Sequence, residues 1–259
     1  MIVAEIGINH FGDEKELNYI IDKLLASPIN FVTIMCQQEK FYEKYKKKKI
    51  NFELESSIYQ KIIKKFKKKN KYIGLSVCDT NTYDKISHID FDFYKLLSIA
   101  INDFNLISMI KKKNKKVFIS TGFGATDKKI EKCINKFGNF KNKLELLHTP
   151  ITYNHDQLNL NKILNLKKKF GLKTGYSHHF YDKTAIYASS CYRPDSLFFY
   201  CKQFIKKNRI YPDDKHALFL NEINEVKKNY EMSLMMHKKN IDIKNKMRIK
   251  KKIFNEIKK

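Results

Sequence analysis

The sequence predicts an α/β fold, a (β/α)8 TIM barrel that forms a single domain. Three observations favour this class. Eight short runs of β-branched and aromatic residues each precede an amphipathic, helix-like segment. The runs are continuously apolar, as expected of strands in a buried parallel sheet. The length of 259 residues is typical of one such barrel.

The predicted strands follow one another at short intervals along the chain, each bounded by polar or turn-forming residues. They are Ile2–Ile8, Phe31–Cys36, Tyr72–Val77, Phe93–Ser98, Val117–Ser120, Leu144–His148, Lys173–Ser177 and Leu197–Cys201.

The segments between the strands carry apolar residues at three- and four-residue spacing, which indicates helices with one buried face. Examples are Glu14–Leu25, Ser56–Lys68, Phe104–Lys112, Asp127–Phe137, Leu158–Phe170 and Lys183–Cys191.

Eight strand–helix units favour a closed barrel over an open, doubly wound sheet. The open sheet is also disfavoured because GINHFG, after the first strand, lacks the glycine spacing of a dinucleotide-binding turn. We expect the barrel to span residues 1–240. Residues 241–259 are then a basic C-terminal helix or tail.

The net charge of +25 raises the question of nucleic-acid binding. The lysines are spread in short runs along the whole chain, and arginine, the better residue for bidentate contacts, is scarce. Solvated helix faces are therefore the favoured interpretation, and a nucleic-acid partner is not expected.

Location and redox state are predicted from what the sequence lacks. No apolar stretch approaches the roughly 20 residues that cross a bilayer, so no membrane association is expected. The opening MIVAEIGINH does not have the pattern of a secretory signal. The five cysteines are widely spaced without a C-x-x-C pair, which indicates reduced thiols in a cytoplasmic protein.

Candidate site residues are the polar side chains at the carboxyl ends of the strands, where barrels of this type carry their active sites. They are Glu5 with Asn9 and His10, Lys95 with Ser98, Ser120 with Thr121 and Gly122, His148 with Tyr153, Ser177 with His178 and His179, and Lys202 with Gln203.

In their order and intervals, these segments resemble the N-acetylneuraminic acid (sialic acid) synthase family, which includes the pseudaminic and legionaminic acid synthases. The likeness runs from about Ile2 to about Glu222. AEIGINHFGD resembles the family's opening strand and turn, YKLLS its Tyr-Lys-Ile-x-Ser, and KKVFISTGF its strand ending in Ser-Thr-Gly. LLHTPITY resembles its Leu-Leu-His run, GYSHH its Gly-Tyr-Ser-Asp-His, and YPDD its Pro-Gly-Pro-Asp.

The resemblance implies a transferase that condenses phosphoenolpyruvate with an N-acylhexosamine in its open-chain form, with a divalent cation (Mn²⁺ or Mg²⁺) activating the sugar aldehyde. It further implies catalytic roles for Glu5 and Tyr153 and sugar binding by Asp214. A homodimer is also implied.

The resemblance divides the remaining residues between a phosphate site and a metal site. Lys95, Ser98, Ser120 and Ser177 match the family's phosphate-binding residues, and a cation with hydroxyl donors suits a phosphate dianion. His179 matches one metal-binding histidine, and the second falls at Gln203. His178, which stands where the family has Asp, is the alternative ligand.

Several positions depart from the family pattern. The family's lysine on strand two falls at Thr33, its Ser-Thr-Pro becomes Ser76-Val77-Cys78, an acidic residue becomes Ala100, and an Asn becomes Ile151. Two functions therefore stay open: a divergent synthase, and a non-catalytic relative that retains a phosphate-binding pocket.

Overall fold

The chain closes into an eight-stranded parallel barrel. The computed structural model describes residues 1–203 and 211–236. Strands β1 to β8 pair in sequence order, and β1 pairs with β8, with Ile2 beside Leu197, so the barrel has no free edge. The prediction of a single (β/α)8 barrel is confirmed. The predicted tail at 241–259, and the boundary at residue 240, lie outside the described residues.

The strands match the predicted runs to within a few residues. They are β1 Ile2–Gly7, β2 Phe31–Cys36, β3 Tyr72–Val77, β4 Phe93–Leu96, β5 Lys116–Ser120, β6 Leu144–His148, β7 Lys173–His178 and β8 Leu197–Lys202, with a short β9 Leu218–Phe219 that pairs with β8.

The helices pack outside the barrel, and none of those described is long and apolar enough to cross a membrane. They are α1 Glu14–Ala26, α2 Glu39–Lys46, α3 Ser56–Lys68, α4 Thr80–Asp84, α5 Phe104–Lys112, α6 Asp127–Phe137, α7 Lys162–Phe170, α8 Thr184–Ser189 and α9 Ile223–Met236.

Side-chain caps fix where several helices begin, and these starts set the βα loops that surround the site. Asp13 accepts hydrogen bonds from the backbone N–H groups of Lys15 and Glu16 at the start of α1. Asp103 and Thr126 cap α5 and α6 in the same way. Each cap satisfies backbone donors that have no partner within the helix.

Aromatic rings fill the lower interior of the barrel. The ring centroids of Phe93 and Phe118 lie 5.7 Å apart, and those of Phe118 and Phe198 lie 4.8 Å apart. Val3 and Leu147 complete this buried cluster. This cluster forms a floor of side chains in the barrel, and the carboxyl ends of the strands lie on its opposite side.

A buried ion pair lies at the amino ends of the strands. The Glu145 carboxylate, on β6, lies 2.7 Å from the Lys116 ammonium and also accepts a hydrogen bond from the Ser196 hydroxyl. Glu145 is fully buried, whereas the side chain of Lys116 is 36% exposed. This end of the barrel therefore carries a charged group whose partners are all supplied by the protein.

Candidate functional site at the barrel mouth

A cavity of about 270 Å³ opens at the carboxyl ends of the strands. It is lined by residues of β2, β8 and the loops that follow β1, β4, β5, β6 and β7, together with the segment before β9. Ser98, Ser120, His179, Tyr200, Asp213 and His216 are among its walls.

A larger groove of about 450 Å³ lies beside the loop that leads into α3. Two of its charged residues are already paired, since the Lys85 ammonium lies 3.2 Å from the Glu53 carboxylate. We assign the functional site to the smaller cavity because it lies where the strand ends converge and contains side chains without partners.

A layer of hydrogen-bonded polar side chains lies above the aromatic floor. The Lys95 ammonium donates to the Glu5 carboxylate at 2.6 Å and to the Ser177 hydroxyl at 3.1 Å. The Thr33 hydroxyl donates to the other Glu5 oxygen at 3.3 Å. All four residues are buried. Two of the three Lys95 donors are thus engaged within the described residues, and one remains for a ligand.

Two of the predicted phosphate-binding serines line the cavity itself. The Ser98 hydroxyl accepts a hydrogen bond from the Gly122 N–H at 2.8 Å. The Ser120 hydroxyl is buried and has no hydrogen-bond partner in the described residues. A Cβ at Gly122 would lie 2.6 Å from the Thr149 carbonyl oxygen, so only glycine permits this close packing.

The four residues predicted to bind phosphate therefore lie at two levels of the barrel. Lys95 and Ser177 belong to the polar layer, whereas Ser98 and Ser120 lie on the cavity wall. Tyr200 links the two levels, because its ring lies 5.8 Å from the Lys95 nitrogen and also lines the cavity.

On β2, the residue that reaches the cavity is Met35, two positions after Thr33. Side chains at these two positions lie on the same face of the strand, so Thr33 lies one layer deeper. Gln37, which follows β2, also lines the cavity. Met35 and Gln37 are therefore the side chains through which β2 and the residues after it contribute to the cavity wall.

Asp213 and His216 are site residues that the sequence analysis missed. Both lie in the segment between β8 and β9 and line the cavity. Asp213 Oδ1 lies 3.7 Å from His216 Nε2. The only signal was YPDD, whose first aspartate, rather than the second, faces the cavity. His216 lies outside every motif that carried the resemblance.

The first turn of the chain holds this segment in place. The Asn9 amide donates to the Cys201 carbonyl at 2.9 Å and accepts from the Asp213 N–H at 3.2 Å. Gly7 has a φ of +57°, and a Cβ there would lie 2.6 Å from the Tyr200 ring and 2.7 Å from Asp213 Oδ2. Glycine therefore lets the site pack directly against the backbone.

Burial changes the protonation of these side chains. It raises the pKa of Asp213 to about 7, with the Glu5 carboxylate adding to the effect and Lys95 opposing it. Burial lowers the pKa of His216 to about 4, helped by Lys95 and Lys202. It also holds the pKa of His179 well below the usual value. Near neutral pH both imidazoles are uncharged, and Asp213 can take up or release a proton.

The remaining predicted residues lie around the cavity rather than in its wall. Gln203 donates from its amide to the Glu16 carboxylate of α1. Asp214 accepts from Lys202 at 3.0 Å. Tyr153 is 46% exposed, with the Lys215 ammonium 5.0 Å from its ring centroid.

His178 faces away from the cavity. It alternates with Ser177 along β7 and therefore lies on the opposite face of the strand. Its Nδ1 lies 3.3 Å from the Tyr176 hydroxyl, within the packing between barrel and helices. This position does not favour it as the alternative metal ligand.

The cavity offers two imidazoles and a carboxyl group to a divalent cation. The ring centroids of His179 and His216 lie 4.8 Å apart. His216 Nδ1 and Nε2 and Asp213 Oδ2 are buried without partners in the described residues. Imidazole nitrogens beside a carboxylate suit Mn²⁺. Within residues 1–203 and 211–236, no three His, Cys, Asp or Glu side chains form a metal site. The fit is therefore to a cation that takes its other ligands from water or substrate.

Fold and cavity together define a (β/α)8-barrel protein with a candidate ligand site at the carboxyl ends of its strands. Comparison with known families makes the assignment specific. Residues 19–192 match the model of the NeuB family, and the chain belongs to this family.

Named relatives agree with the family. The chain is 27% identical over 202 residues to N,N'-diacetyllegionaminic acid synthase of Campylobacter jejuni subsp. jejuni serotype O:2, a match that covers 69% of this chain and 60% of that protein. It is 30% identical over 153 residues to the pseudaminic acid synthase of the same strain, covering 56% of this chain and 42% of the relative. The chain thus spans less than two thirds of the length of these relatives.

Among solved structures, the fold is similar to that of N-acetylneuraminic acid (sialic acid) synthetase from Leptospira borgpetersenii serovar Hardjo-bovis, solved with citrate. The TM-score is 0.83 at 20% sequence identity, and the match covers 96% of this chain and 90% of the other. At this identity the likeness establishes the barrel fold.

Proposed function

We propose that this chain is a divergent nonulosonic acid synthase that condenses phosphoenolpyruvate with an open-chain N-acylhexosamine. In that reaction the enol carbon of phosphoenolpyruvate bonds to the sugar aldehyde carbon, water adds to the adjacent carbon, and inorganic phosphate leaves. The observation that carries the proposal is that Lys95 and Ser177 are hydrogen-bonded in the polar layer, while Ser98 and Ser120 line the cavity.

The phosphate of the substrate would lie between the polar layer and the cavity wall. The Lys95 ammonium and the hydroxyls of Ser98, Ser120 and Ser177 would donate to its oxygens. Ser120 is the most direct candidate, because its hydroxyl is buried and unpaired in the described residues. Glu5 holds Lys95 in position and keeps the layer close to neutral when the cavity is empty.

Asp213 is the best-placed proton donor or acceptor. Its carboxyl lines the cavity, and its raised pKa lets both protonation states occur near pH 7. It would protonate the aldehyde oxygen as the new bond forms, or take a proton from attacking water. Tyr153 and Asp214, near the rim, remain predicted contributors to catalysis and sugar binding.

A divalent cation, Mn²⁺ or Mg²⁺, bound beside His179 would polarise the aldehyde oxygen of the sugar. The cavity walls formed by Met35, Ile8 and Leu97 would limit the access of water to the reacting carbons. A homodimer and a cytoplasmic location remain predictions, as does the lack of a nucleic-acid partner.

The second candidate is a non-catalytic relative that binds phosphoenolpyruvate or a similar phosphate compound. Thr33 favours it, because it stands where the family pattern has a lysine, so the site would have one cation fewer for neutralising substrate carboxylate and phosphate.

Both candidates are tested by incubating pure protein with phosphoenolpyruvate, Mn²⁺ and a panel of N-acylhexosamines and measuring phosphate release. The synthase predicts sugar-dependent release, reduced about 100-fold or more in Asp213→Asn. Exposed Asp84→Asn is the matched control and should match wild type. Binding of phosphoenolpyruvate by calorimetry without release from any sugar supports the non-catalytic relative, and absence of both overturns the two candidates together.

A further inference from the structure

Three aromatic side chains, His179, Tyr200 and His216, contact one another at the wall of the cavity. We call them the His–Tyr cluster. The ring centroids of His179 and His216 lie 4.8 Å apart, and each lies little more than 5 Å from Tyr200, at 5.3 and 5.2 Å. His179 comes from the end of β7 and His216 from the segment before β9, so the two histidines reach the same point from different parts of the chain.

The buried ring nitrogens of His216 lack hydrogen-bond partners among the described residues. Its side chain is only 11% exposed. Asp213 Oδ2 is unpaired beside it. Leaving a buried polar group without a partner costs about 1–3 kcal/mol, so such groups in native proteins require an explanation. A ligand that accepts electron pairs from imidazole nitrogen supplies one.

Gln203, the residue predicted as the second metal ligand, makes its hydrogen bond outside the cavity. The Gln203 amide donates to the Glu16 carboxylate of α1, and Gln203 is not among the described residues that line the cavity. Its amide is therefore held at the outer edge of the barrel, whereas His216 lies against the ring of His179. An imidazole is also a better ligand than a carboxamide for a first-row transition metal.

We propose that His179 and His216 together bind a divalent transition-metal cation, and that His216 takes the part predicted for Gln203. This assignment rests on the proposed function for the identity of the substrate but not for the site itself. Two imidazoles would leave the remaining ligands to water and substrate, and the Asp213 carboxyl, 3.7 Å from His216 Nε2, would lie beside them.

The site is tested with Mn²⁺ alone, so that the result does not depend on any substrate. Mn²⁺ titrations followed by electron paramagnetic resonance should show that His216→Gln and His179→Gln each weaken binding by about tenfold or more. His88→Gln is the matched control, because that histidine is exposed, and it should bind like wild type. Unchanged affinity in His216→Gln, with loss in Gln203→Ala, overturns the assignment in favour of Gln203.

A second measurement needs no variant and guards against misfolding of the substituted proteins. Electron spin echo envelope modulation of wild-type protein with bound Mn²⁺ should show couplings to imidazole nitrogen from two ligands. The lack of any nitrogen coupling overturns the proposal. Nitrogen couplings in a protein that releases no phosphate from phosphoenolpyruvate support the site while refuting the synthase, so the two proposals fail separately.

Discussion

The two ends of the barrel bury charge in opposite ways. At the amino ends of the strands, Glu145 is held by Lys116 and Ser196, so its charge is met within the protein. At the carboxyl ends, Ser120, Asp213 and His216 lie in or beside the cavity with polar atoms that have no partner among the described residues. The contacts at the first end stabilise the fold, whereas the unpaired polar atoms at the second end can bind a ligand.

The Glu5–Lys95 layer lies between these ends and shares properties of both. It is as buried as Glu145, yet one Lys95 donor remains for a ligand. The contrast implies that substitutions at the base change stability alone, that those in the layer change stability and binding, and that those of unpartnered groups on the cavity wall change binding with little effect on stability.

The largest expected effect is that of Lys95→Met. It leaves the Glu5 carboxylate buried without its cation, and breaking a buried ion pair costs about 3–5 kcal/mol. Urea denaturation should show this loss of unfolding free energy. The double variant Glu5→Leu/Lys95→Met should regain most of it, since no isolated charge remains. A single-variant loss below about 1 kcal/mol would mean that the pair is hydrated and that the layer belongs to the mouth.

Acid should lower the free energy of unfolding through two buried histidines at the mouth of the barrel, His10 and His148. Burial lowers the pKa of each to about 4, whereas the unfolded chain takes up these protons near pH 6.5. Between those values the unfolded state binds more protons, so the stabilisation is complete above about pH 6.5 and is lost as pH falls toward 4.

The expected loss between pH 8 and pH 4 is about 3 kcal/mol for each histidine. Urea denaturation from pH 8 to pH 4 measures it. His148→Gln should flatten the curve, and exposed His88→Gln should leave the curve as it is in wild type. If the free energy of unfolding of wild type and of His148→Gln depends on pH with equal slopes, His148 does not contribute to the loss of stability in acid.

Glu145→Gln tests the base of the barrel. The neutral amide weakens two charge-assisted hydrogen bonds, and the partly exposed Lys116 can turn to solvent, so the expected loss is about 1–2 kcal/mol. Affinity for phosphoenolpyruvate, measured by calorimetry, should stay at the wild-type value. A large fall in affinity would show that the base and the mouth are not separate.

The smallest effect on stability is expected from Ser120→Ala. The hydroxyl has no partner to lose in the described residues, so the unfolding free energy should change by less than about 0.5 kcal/mol. Affinity for phosphoenolpyruvate should nevertheless fall about tenfold, because one hydrogen bond to the phosphate is lost. Ser57→Ala, on the exposed face of α3, is the matched control. A loss of stability without a loss of affinity would reverse the interpretation.

Most of the fold was predictable because strand periodicity and helix amphipathicity are local properties. The predicted helices at 56–68, 104–112 and 127–137 agree with α3, α5 and α6. The helix predicted from Leu158 begins at Lys162 instead, because Asn159 adopts a positive φ of 41° that interrupts the helical backbone. The short β9, which depends on pairing with β8, had no local signal.

The site was predictable only where it follows from strand position. Lys95 and Ser177 lie on strands whose alternation fixes which side chains face inward, and the structure brings them into contact. Asp213 and His216 lie in an irregular segment whose path depends on contacts with Asn9 and Gly7. No periodicity describes such a path, so only the folded chain shows that these two residues enter the cavity.

The two hydrogen bonds of Asn9 also bear on the order in which the chain folds during its synthesis. They join residues 192 and 204 positions apart in the chain. A ribosome that adds about 5–20 residues per second takes roughly 10–40 s to cover that separation. Throughout this interval the Asn9 amide has neither of these partners, and the first strand has no eighth strand beside it. The part of the cavity wall formed by Asp213 and His216 is therefore completed after the rest, and a nascent chain stalled before residue 213 carries the whole polar layer but lacks these two residues.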